Sequence, residues 1–115
     1  MARQRVAKGT MADRLNVRQC CRFLGALAEP ERLRIVECLL AGPKTVGEVG
    51  QAVASPMANV SHHLRQLRAA GLLEATKRGR FVVYSLAPSV VREMGAGRDV
   101  LDFGCCKLDL GKRGG

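Results

Sequence analysis

The order of sequence patterns in this 115-residue chain predicts a mainly α-helical fold with one small β-hairpin. Four stretches repeat apolar residues at helical spacing, and residues 72–86 change to the alternation typical of paired strands. A polar-faced fourth helix followed directly by a basic hairpin is typical of a winged helix-turn-helix. We therefore predict this fold over residues 15–97, with a flexible basic arm before it (1–14) and a tail after it (98–115).

The first helix is predicted over residues 16–28. Its apolar stripe consists of Val17, Leu24, Leu27 and Ala28. Cys20 and Cys21 fall on either side of this stripe, because successive helical residues are about 100° apart. We therefore expect both thiols to face apolar surroundings.

The second and third helices carry clear boundary signals. Pro30 suits the first turn of the second helix, and the pair Gly42-Pro43 ends it. The buried face of this helix is predicted to be Leu33, Val36, Leu39 and Leu40. Thr45 and Glu48 have the spacing of a capping box at the start of the third helix. Its two glycines weaken this helix, so we expect packing to hold it.

The fourth helix is predicted to begin with Ser55 as its cap and Pro56 in its first position, and to end at Gly71. Its inward stripe is Val60, Leu64 and Leu67. The hairpin that follows has the basic turn "KRGR". The segment "APSVVREMGAG", residues 87–97, is predicted as a short last helix interrupted by two glycines.

The charge balance favours a nucleic acid as partner. Nineteen Lys and Arg residues against ten Asp and Glu give a formal charge of +9, which suits a polyanion. Between residues 55 and 86 the only acid is Glu74, and the basic residues are Arg65, Arg68, Lys77, Arg78 and Arg80. The sequence lacks an amphipathic Lys/Arg helix with bulky apolar anchors, which argues against a membrane partner.

This basic excess lies where a winged helix-turn-helix would meet DNA. The outward side chains of the fourth helix can hydrogen-bond base edges in the major groove, and an arginine-tipped hairpin suits the flanking phosphates. The predicted DNA-binding residues are Ser55, Met57, Ala58, Asn59, Ser61, His62, Arg65, Gln66, Arg68, Lys77, Arg78 and Arg80. His62 and His63 are more plausible as DNA or scaffold contacts than as metal ligands.

The five cysteines are Cys20, Cys21, Cys38, Cys105 and Cys106. The first 14 residues lack the apolar stretch of a signal peptide, so we expect a cytoplasmic protein with reduced thiols. Adjacent residues lie about 3.8 Å apart, whereas an unstrained disulfide needs about 4.4–6.8 Å between Cα atoms. The C-terminal pair is therefore unsuited to an internal bridge, although either member could pair with the N-terminal pair. Cys38 is predicted to belong to the core.

The segments "LAEPERLRIVECLLAG" and "SPMANVSHHLRQLRAAGLLEATKRGRFVVYSL" resemble the ArsR/SmtB family of bacterial metal-responsive repressors. The resemblance covers roughly residues 17–87, and "VSHHLRQLRAAGLL" is its most specific part. It implies a homodimer joined through its first and last helices, operator DNA binding without effector, and release when an effector binds. It also implies a helix-turn-helix at 45–53 and 56–70 and a wing tip at 78–80.

The chain departs from two sensor patterns of that family. Many of its arsenic sensors have a CVC box on the third helix, where this chain has "TVGEVGQ", and the zinc-type site on the last helix needs His ligands that "APSVVREMGAG" lacks. Other arsenic sensors of the family use adjacent cysteines on the first helix or in the C-terminal tail. The resemblance therefore favours As(III), held by Cys20, Cys21, Cys105 and Cys106 within or between subunits. Other soft ions, such as Sb(III), Cd(II), Pb(II), Cu(I) or Zn(II), suit the same thiolates.

Three other hypotheses remain open from the sequence. One is a repressor of the same fold that senses oxidants or reactive sulfur, for which Cys38 is a second candidate because persulfide-sensing relatives carry a reactive cysteine nearby. Another is a constitutive DNA-binding protein with silent cysteines. A thiol enzyme is disfavoured, because the chain has neither a CxxC motif nor a nucleophile paired with a base. We therefore expect a non-enzymatic regulator.

Overall fold

The computed structural model describes residues 10–93 and 98–112, with side chains for residues 17–93 and 99–111. Its helices are α1 (Thr10–Leu27), α2 (Pro30–Leu39), α3 (Val46–Val53) and α4 (Met57–Ala69). Its strands are β1 (Lys44–Thr45), β2 (Leu73–Arg78), β3 (Phe81–Leu86), β4 (Val91–Glu93), β5 (Arg98–Asp102) and β6 (Lys107–Lys112). Residues 1–9 of the predicted arm lie outside this description, whereas residues 10–14 belong to α1 instead of an arm.

The core lies where the inward faces of α1, α2 and α4 meet. The buried side chains of these helices are Cys20, Phe23, Leu27, Ile35, Val36, Leu39, Val60, Leu64 and Leu67. The predicted inward stripe of α4 is therefore confirmed, but that of α1 is partly wrong. Val17 is 56% exposed and Leu24 44%, because Cys20, Phe23 and Leu27 form the face that packs inward. The remaining apolar stripe of α1 faces outward.

The short helix α3 is held by the predicted capping box. The Thr45 hydroxyl accepts a hydrogen bond from the backbone N–H of Glu48 at 3.2 Å, and the Glu48 carboxylate accepts one from the N–H of Thr45 at 2.8 Å. Two otherwise unpaired N–H groups are thus satisfied at the helix start. At its other end Ala54 takes a left-handed conformation with φ of 54°, which turns the chain toward α4.

Helix α4 begins one residue later than predicted. Pro56 takes the cap position with an extended backbone, and no side chain caps the helix. The prediction that Ser55 caps α4 is therefore wrong, since its hydroxyl precedes the cap position. In the first turn of α4 the backbone N–H of Asn59 donates instead to the carbonyl oxygen of Pro56, at 3.1 Å.

The predicted hairpin is the wing of the fold. Strands β2 and β3 pair antiparallel from Leu73↔Leu86 to Arg78↔Phe81, and β1 adds to the other edge of β3. Gly79, with φ of 61°, supplies the positive dihedral that a two-residue hairpin turn needs. The turn thereby projects its basic side chains beyond the body of the domain.

The prediction of a last helix is wrong in the part that the structure describes. Residues 88–90 form a single 3₁₀ turn, and β4, β5 and β6 form a second antiparallel sheet in that order. Residues 94–97 of the predicted helix lie outside the described ranges. The predicted tail, 98–115, contributes two of these strands, because Leu101 and Phe103 pack into the domain core and the Phe103 ring centroid lies 4.8 Å from that of Phe23.

None of the helices that the structure describes is both long and apolar enough to span a bilayer.

Candidate nucleic-acid interface and thiol site

The outer face of α4 presents most of the predicted DNA-binding side chains. Ala58, His62 and Arg65 follow each other at spacings of four and three, which puts them on one face of the helix, opposite the buried stripe. The exposed members of the predicted set on α4 are Met57, Ala58, Asn59, His62, Arg65, Gln66 and Arg68. Ser55 and Ser61 are half-buried at the edge of this surface. The helix therefore offers amide, imidazole and guanidinium groups on a side that the core does not use.

The wing carries the remaining predicted residues. Lys77, Arg78 and Arg80 are all exposed at the β2–β3 turn. The Arg80 guanidinium carbon lies 5.7 Å from the ring centroid of Phe81, which is itself 56% exposed. This pairing keeps an arginine and an aromatic ring together at the tip. Sequence reasoning missed Phe81, although an aromatic residue directly after a basic turn was the available signal.

His63 differs from its neighbour His62 because it points into the domain. Its Nδ1 accepts a hydrogen bond from Nη1 of Arg32 at 3.3 Å, and its Nε2 lies 3.9 Å from the Glu29 carboxylate. Glu29 caps α2 by accepting the N–H of Arg32 at 2.9 Å, and this bond is the main cause that lowers the pKa of Glu29. Helical periodicity could not predict this contact, because Arg32 and His63 are 31 residues apart on different helices.

The thiols at the two ends of the chain meet within one subunit. Cys20, which is 3% exposed on α1, forms a disulfide with Cys105 in the β5–β6 turn, with 6.3 Å between the Cα atoms. The expectation that all thiols are reduced is therefore wrong for Cys20 and Cys105. A bridge between the N-terminal and the C-terminal cysteine pair had been left open as geometrically suitable. Cys106 is exposed and free, and its Sγ lies 3.7 Å from that of Cys105.

Cys21 does not belong to this cluster. It is an exposed free thiol on α1, on the side that faces away from the core. The structure thus brings together Cys20, Cys105 and Cys106, and leaves Cys21 apart.

The β5–β6 turn is fixed by its own hydrogen bonds. The backbone N–H of Gly104 donates to the Asp102 carboxylate at 3.0 Å, and Nε of Arg92 donates to the same group at 3.3 Å. These bonds, the first above all, lower the pKa of Asp102. The N–H of Phe103 donates to the Cys106 carbonyl at 2.9 Å and closes the turn. The backbone of the turn that carries Cys105 and Cys106 is therefore held in a defined conformation.

Two of the three clustered sulfurs, those of Cys20 and Cys105, are bonded to each other. Among the side chains that the structure describes, no group of three or more His, Cys, Asp and Glu is placed to hold a metal ion. Metal–sulfur bonds of about 2.3 Å in a tetrahedron place sulfurs about 3.8 Å apart, and the sulfurs of Cys105 and Cys106 are separated by 3.7 Å.

Cys38 lies apart from both pairs and is half-buried on α2. Burial raises the pKa of its thiol, and the charge of Lys44 offsets only part of this effect. A raised pKa keeps the thiol protonated and therefore weakly nucleophilic. Cys38 was predicted to belong to the core, but it lies at the edge of the core and is only half-buried.

A family model described as a helix-turn-helix domain matches residues 27–76. The chain is 40% identical over 76 residues to the HTH-type transcriptional regulator NmtR of Mycobacterium tuberculosis, covering 66% of this chain and 63% of NmtR. It is 36% identical over 81 residues to an uncharacterized HTH-type transcriptional regulator of the same organism, Rv0081, covering 69% of this chain and 71% of that protein. The chain thus spans less than two thirds of the first of these relatives.

The solved structures agree with the sequence relatives. The homodimeric winged helix-turn-helix domain of Mb0332 from Mycobacterium bovis, described as a possible ArsR-family regulator, matches with a TM-score of 0.62 at 28% identity, covering 71% of this chain and 73% of that one. HlyU from Vibrio cholerae matches with a TM-score of 0.61 at 31% identity, covering 64% of this chain and 80% of that one. NmtR and Rv0081 are both described as HTH-type transcriptional regulators, and Mb0332 as a possible one.

Proposed function

Because the chain belongs to the ArsR/SmtB family of transcriptional regulators, we propose that it is a cytoplasmic homodimeric repressor of operator DNA. The observation that carries this proposal is the set of polar and basic side chains exposed on α4 and the wing, which includes Arg65, Arg78 and Arg80. A helix of this kind fits the major groove, and wing arginines suit phosphates on either side of it. Two copies would enter grooves about one helical turn apart on a palindromic site.

The outward stripe of α1 supports the dimer. Val17, Cys21, Leu24 and Ala28 follow each other at spacings of four, three and four, and all four are exposed in the single chain. Such a stripe is self-complementary about a two-fold axis, as a symmetric dimer requires. We propose that α1 pairs with α1 of a second copy. The β4–β5–β6 sheet occupies the place in the chain where the family resemblance implied a last helix.

The proposed effector is a soft metal(loid) ion, with As(III) favoured, bound by the reduced protein. Thiolates select soft ions, and Cys20, Cys105 and Cys106 together offer three sulfurs. Cys21 would then lie at the dimer interface instead of in the ion site. Binding would join α1 to the β5–β6 turn and favour a dimer geometry with weaker operator affinity.

The disulfide favours a second candidate, a repressor controlled by thiol oxidation. Cys20 and Cys105 are joined in the structure, and the exposed position of Cys105 gives a reagent access to the bond. In this hypothesis two thiols react with one hydroperoxide molecule, the disulfide forms, and the peroxide is reduced to water or to water and an alcohol. A dithiol reductant would reverse the step.

Fluorescence anisotropy on a promoter fragment of the protein's own gene tests both candidates. Reduced protein is titrated with arsenite, antimonite and cadmium in one series, and with peroxide followed by dithiothreitol in another. A coupling free energy of about 1–3 kcal/mol corresponds to about 5–150-fold weaker binding. Unchanged affinity at saturating concentrations of all three ions rejects the metal(loid) hypothesis, and unchanged affinity after peroxide rejects the redox hypothesis.

Matched cysteine variants locate the response. Cys20→Ser, Cys105→Ser and Cys106→Ser are expected to abolish the response to the ion, whereas Cys38→Ser is expected to retain it. The redox hypothesis predicts a different pattern, because Cys106→Ser leaves the bonded pair intact. Absence of any DNA binding by folded protein would reject the repressor proposal itself.

A further inference from the structure

We propose that His63 is a positioning residue through which α1 sets the orientation of α4 on DNA. In this proposal Arg32 connects His63 to the end of α1, so that a change at Cys20 reaches the DNA-binding surface. The inference deepens the proposed function and rests on it. Neither His63 nor Arg32 belongs to the predicted DNA-binding set or to the thiol cluster.

Arg32 joins three helices at one point. Its Nε donates to the carbonyl oxygen of Ala26 at the end of α1 at 2.6 Å, and its backbone N–H donates to the Glu29 cap at 2.9 Å. Its Nη1 donates to Nδ1 of His63 on α4 at 3.3 Å. The N–H directions of a guanidinium are fixed in one plane. A displacement of the α1 carbonyl that turns this plane therefore also redirects the bond to His63.

His63 is placed to accept this hydrogen bond from Arg32. Its side chain is only 14% exposed, and the bond from Arg32 requires Nδ1 to be an acceptor, so the proton of the neutral ring is assigned to Nε2. That nitrogen faces the Glu29 carboxylate, 3.9 Å away. The imidazole is thus oriented from both sides by groups of α2. Because His62 and Arg65 lie on the outer face of α4, any rotation of this helix about His63 moves them relative to DNA.

A second hydrogen bond joins α1 to the C-terminal end of α4. Nε2 of Gln19 donates to the carbonyl oxygen of Ala70, which follows the last turn of α4, at 3.4 Å. Gln19 directly precedes the disulfide cysteine Cys20, and Ala26 lies six residues after it, about 9 Å along the same helix. Helix α1 therefore holds α4 at two points, one on each side of the thiol site, and can transmit a shift as a rigid body.

The test compares operator affinity in two states of the same protein, reduced and with the Cys20–Cys105 disulfide formed or arsenite bound. The measured quantity is the ratio of the two dissociation constants, expected at about 5–150 for the wild type. His63→Ala and Arg32→Lys are expected to bring this ratio close to one. His63→Gln, whose amide can accept from Arg32 and donate toward Glu29, is expected to restore most of it.

His62→Ala is the matched control, because it removes the neighbouring imidazole from the outer face of α4. It is expected to weaken both states and to leave the ratio unchanged. In the double variant Arg32→Lys/His63→Ala the ratio should equal that of either single variant, since both act on one bond. Circular dichroism thermal unfolding identifies any variant that fails to fold. If His63→Ala fails to fold, the ratio of dissociation constants measured for His63→Gln becomes the deciding result.

A wild-type ratio retained in folded His63→Ala would overturn the positioning role while leaving the proposed function intact. A ratio of one in the wild type itself, with DNA binding present, would instead reject effector control and this inference together.

Discussion

The five cysteines occupy three chemical environments that differ in access and protonation. Cys20 and Cys105 are bonded, Cys21 and Cys106 are exposed thiols, and Cys38 is half-buried with a raised pKa. Because the thiolate is the reactive form, these environments predict an order of reactivity.

We expect iodoacetamide at neutral pH to modify the exposed Cys106 first and Cys38 several-fold more slowly, whereas Cys21 is protected by the proposed pairing of α1 with α1. Pretreatment with a dithiol reductant is expected to add Cys105 to the rapidly modified set, because it is exposed once released. Peptide mass spectrometry over time measures each site in one sample. Modification of Cys38 at the rate of Cys106 would contradict the assignment of Cys38 to the scaffold.

Glu29 makes the free energy of unfolding depend on pH in the acid range. Its pKa is lowered below the ordinary value of 4.5, first by the hydrogen bond from the N–H of Arg32. A carboxyl whose pKa is lowered by folding stabilises the native state fully above its ordinary value, and this contribution is lost as the pH falls through the lowered value. Glu29→Gln should therefore reduce the free energy of unfolding at pH 7 and converge with wild type at strongly acid pH. Urea titrations at both pH values test this, with the exposed Glu37→Gln as control.

The exposure of the outer face of α4 could be predicted because outward positions follow directly from the helical period. The exposed side chains His62, Arg65 and Gln66 follow from the buried stripe of α4 alone. The role of His63 could not be predicted in this way. Its partner is 31 residues away, and its burial depends on how α2 crosses α4.

At the scale of the elements, the two helices of the helix-turn-helix begin differently. Helix α3 has a complete capping box, whereas α4 has no side-chain cap. Thr45→Ala should lower the free energy of unfolding by about 1 kcal/mol, and Ser55→Ala should change it by less than about 0.5 kcal/mol. Urea unfolding of the matched pair measures both. Equal losses would mean that Ser55 contributes to the start of α4 after all.

The wing is predicted to set much of the salt dependence of DNA binding. Arg78 and Arg80 project from the β2–β3 turn, and each phosphate contact contributes about 0.9 to the slope of log affinity against log salt. Arg78→Ala/Arg80→Ala should therefore reduce the magnitude of that slope by about 2. Anisotropy titrations at several salt concentrations measure it, with Glu74→Gln on the same hairpin as control. An unchanged slope would place the wing away from phosphates.

The second sheet shows what local patterns could not determine. Residues 87–97 were predicted as a last helix, but β4 pairs Val91 with Leu101 across a connection that no local pattern specifies. The burial of Leu101 and Phe103 favours the sheet over a last helix, because it places two large apolar side chains in the core. The capping box and the wing were predictable because their partners are close in sequence, and the inward stripe of α4 was predictable from the helical period alone.

At the scale of the whole molecule, the outward stripe of α1 is predicted to hold two copies together. Leu24→Glu puts a charge where an apolar contact is proposed, so we expect monomers at concentrations where wild type is dimeric, and weaker operator binding. Light scattering after size exclusion measures the mass. Arg22→Glu, which changes a nearby exposed side chain of the same helix, is the control. A dimeric Leu24→Glu protein would place the interface elsewhere.

The bond between Cys20 and Cys105 closes a covalent ring 85 residues in span, which contains α2, α3, α4 and the wing. Loop-entropy arguments assign a closure of this size about 4–5 kcal/mol of stabilisation, through a smaller choice of unfolded conformations. Oxidation or reduction of this one cysteine pair therefore changes how well the helix-turn-helix and the wing resist heat and proteases. Reduction of this disulfide would therefore free the two thiols to react and would lower the stability of the fold at the same time.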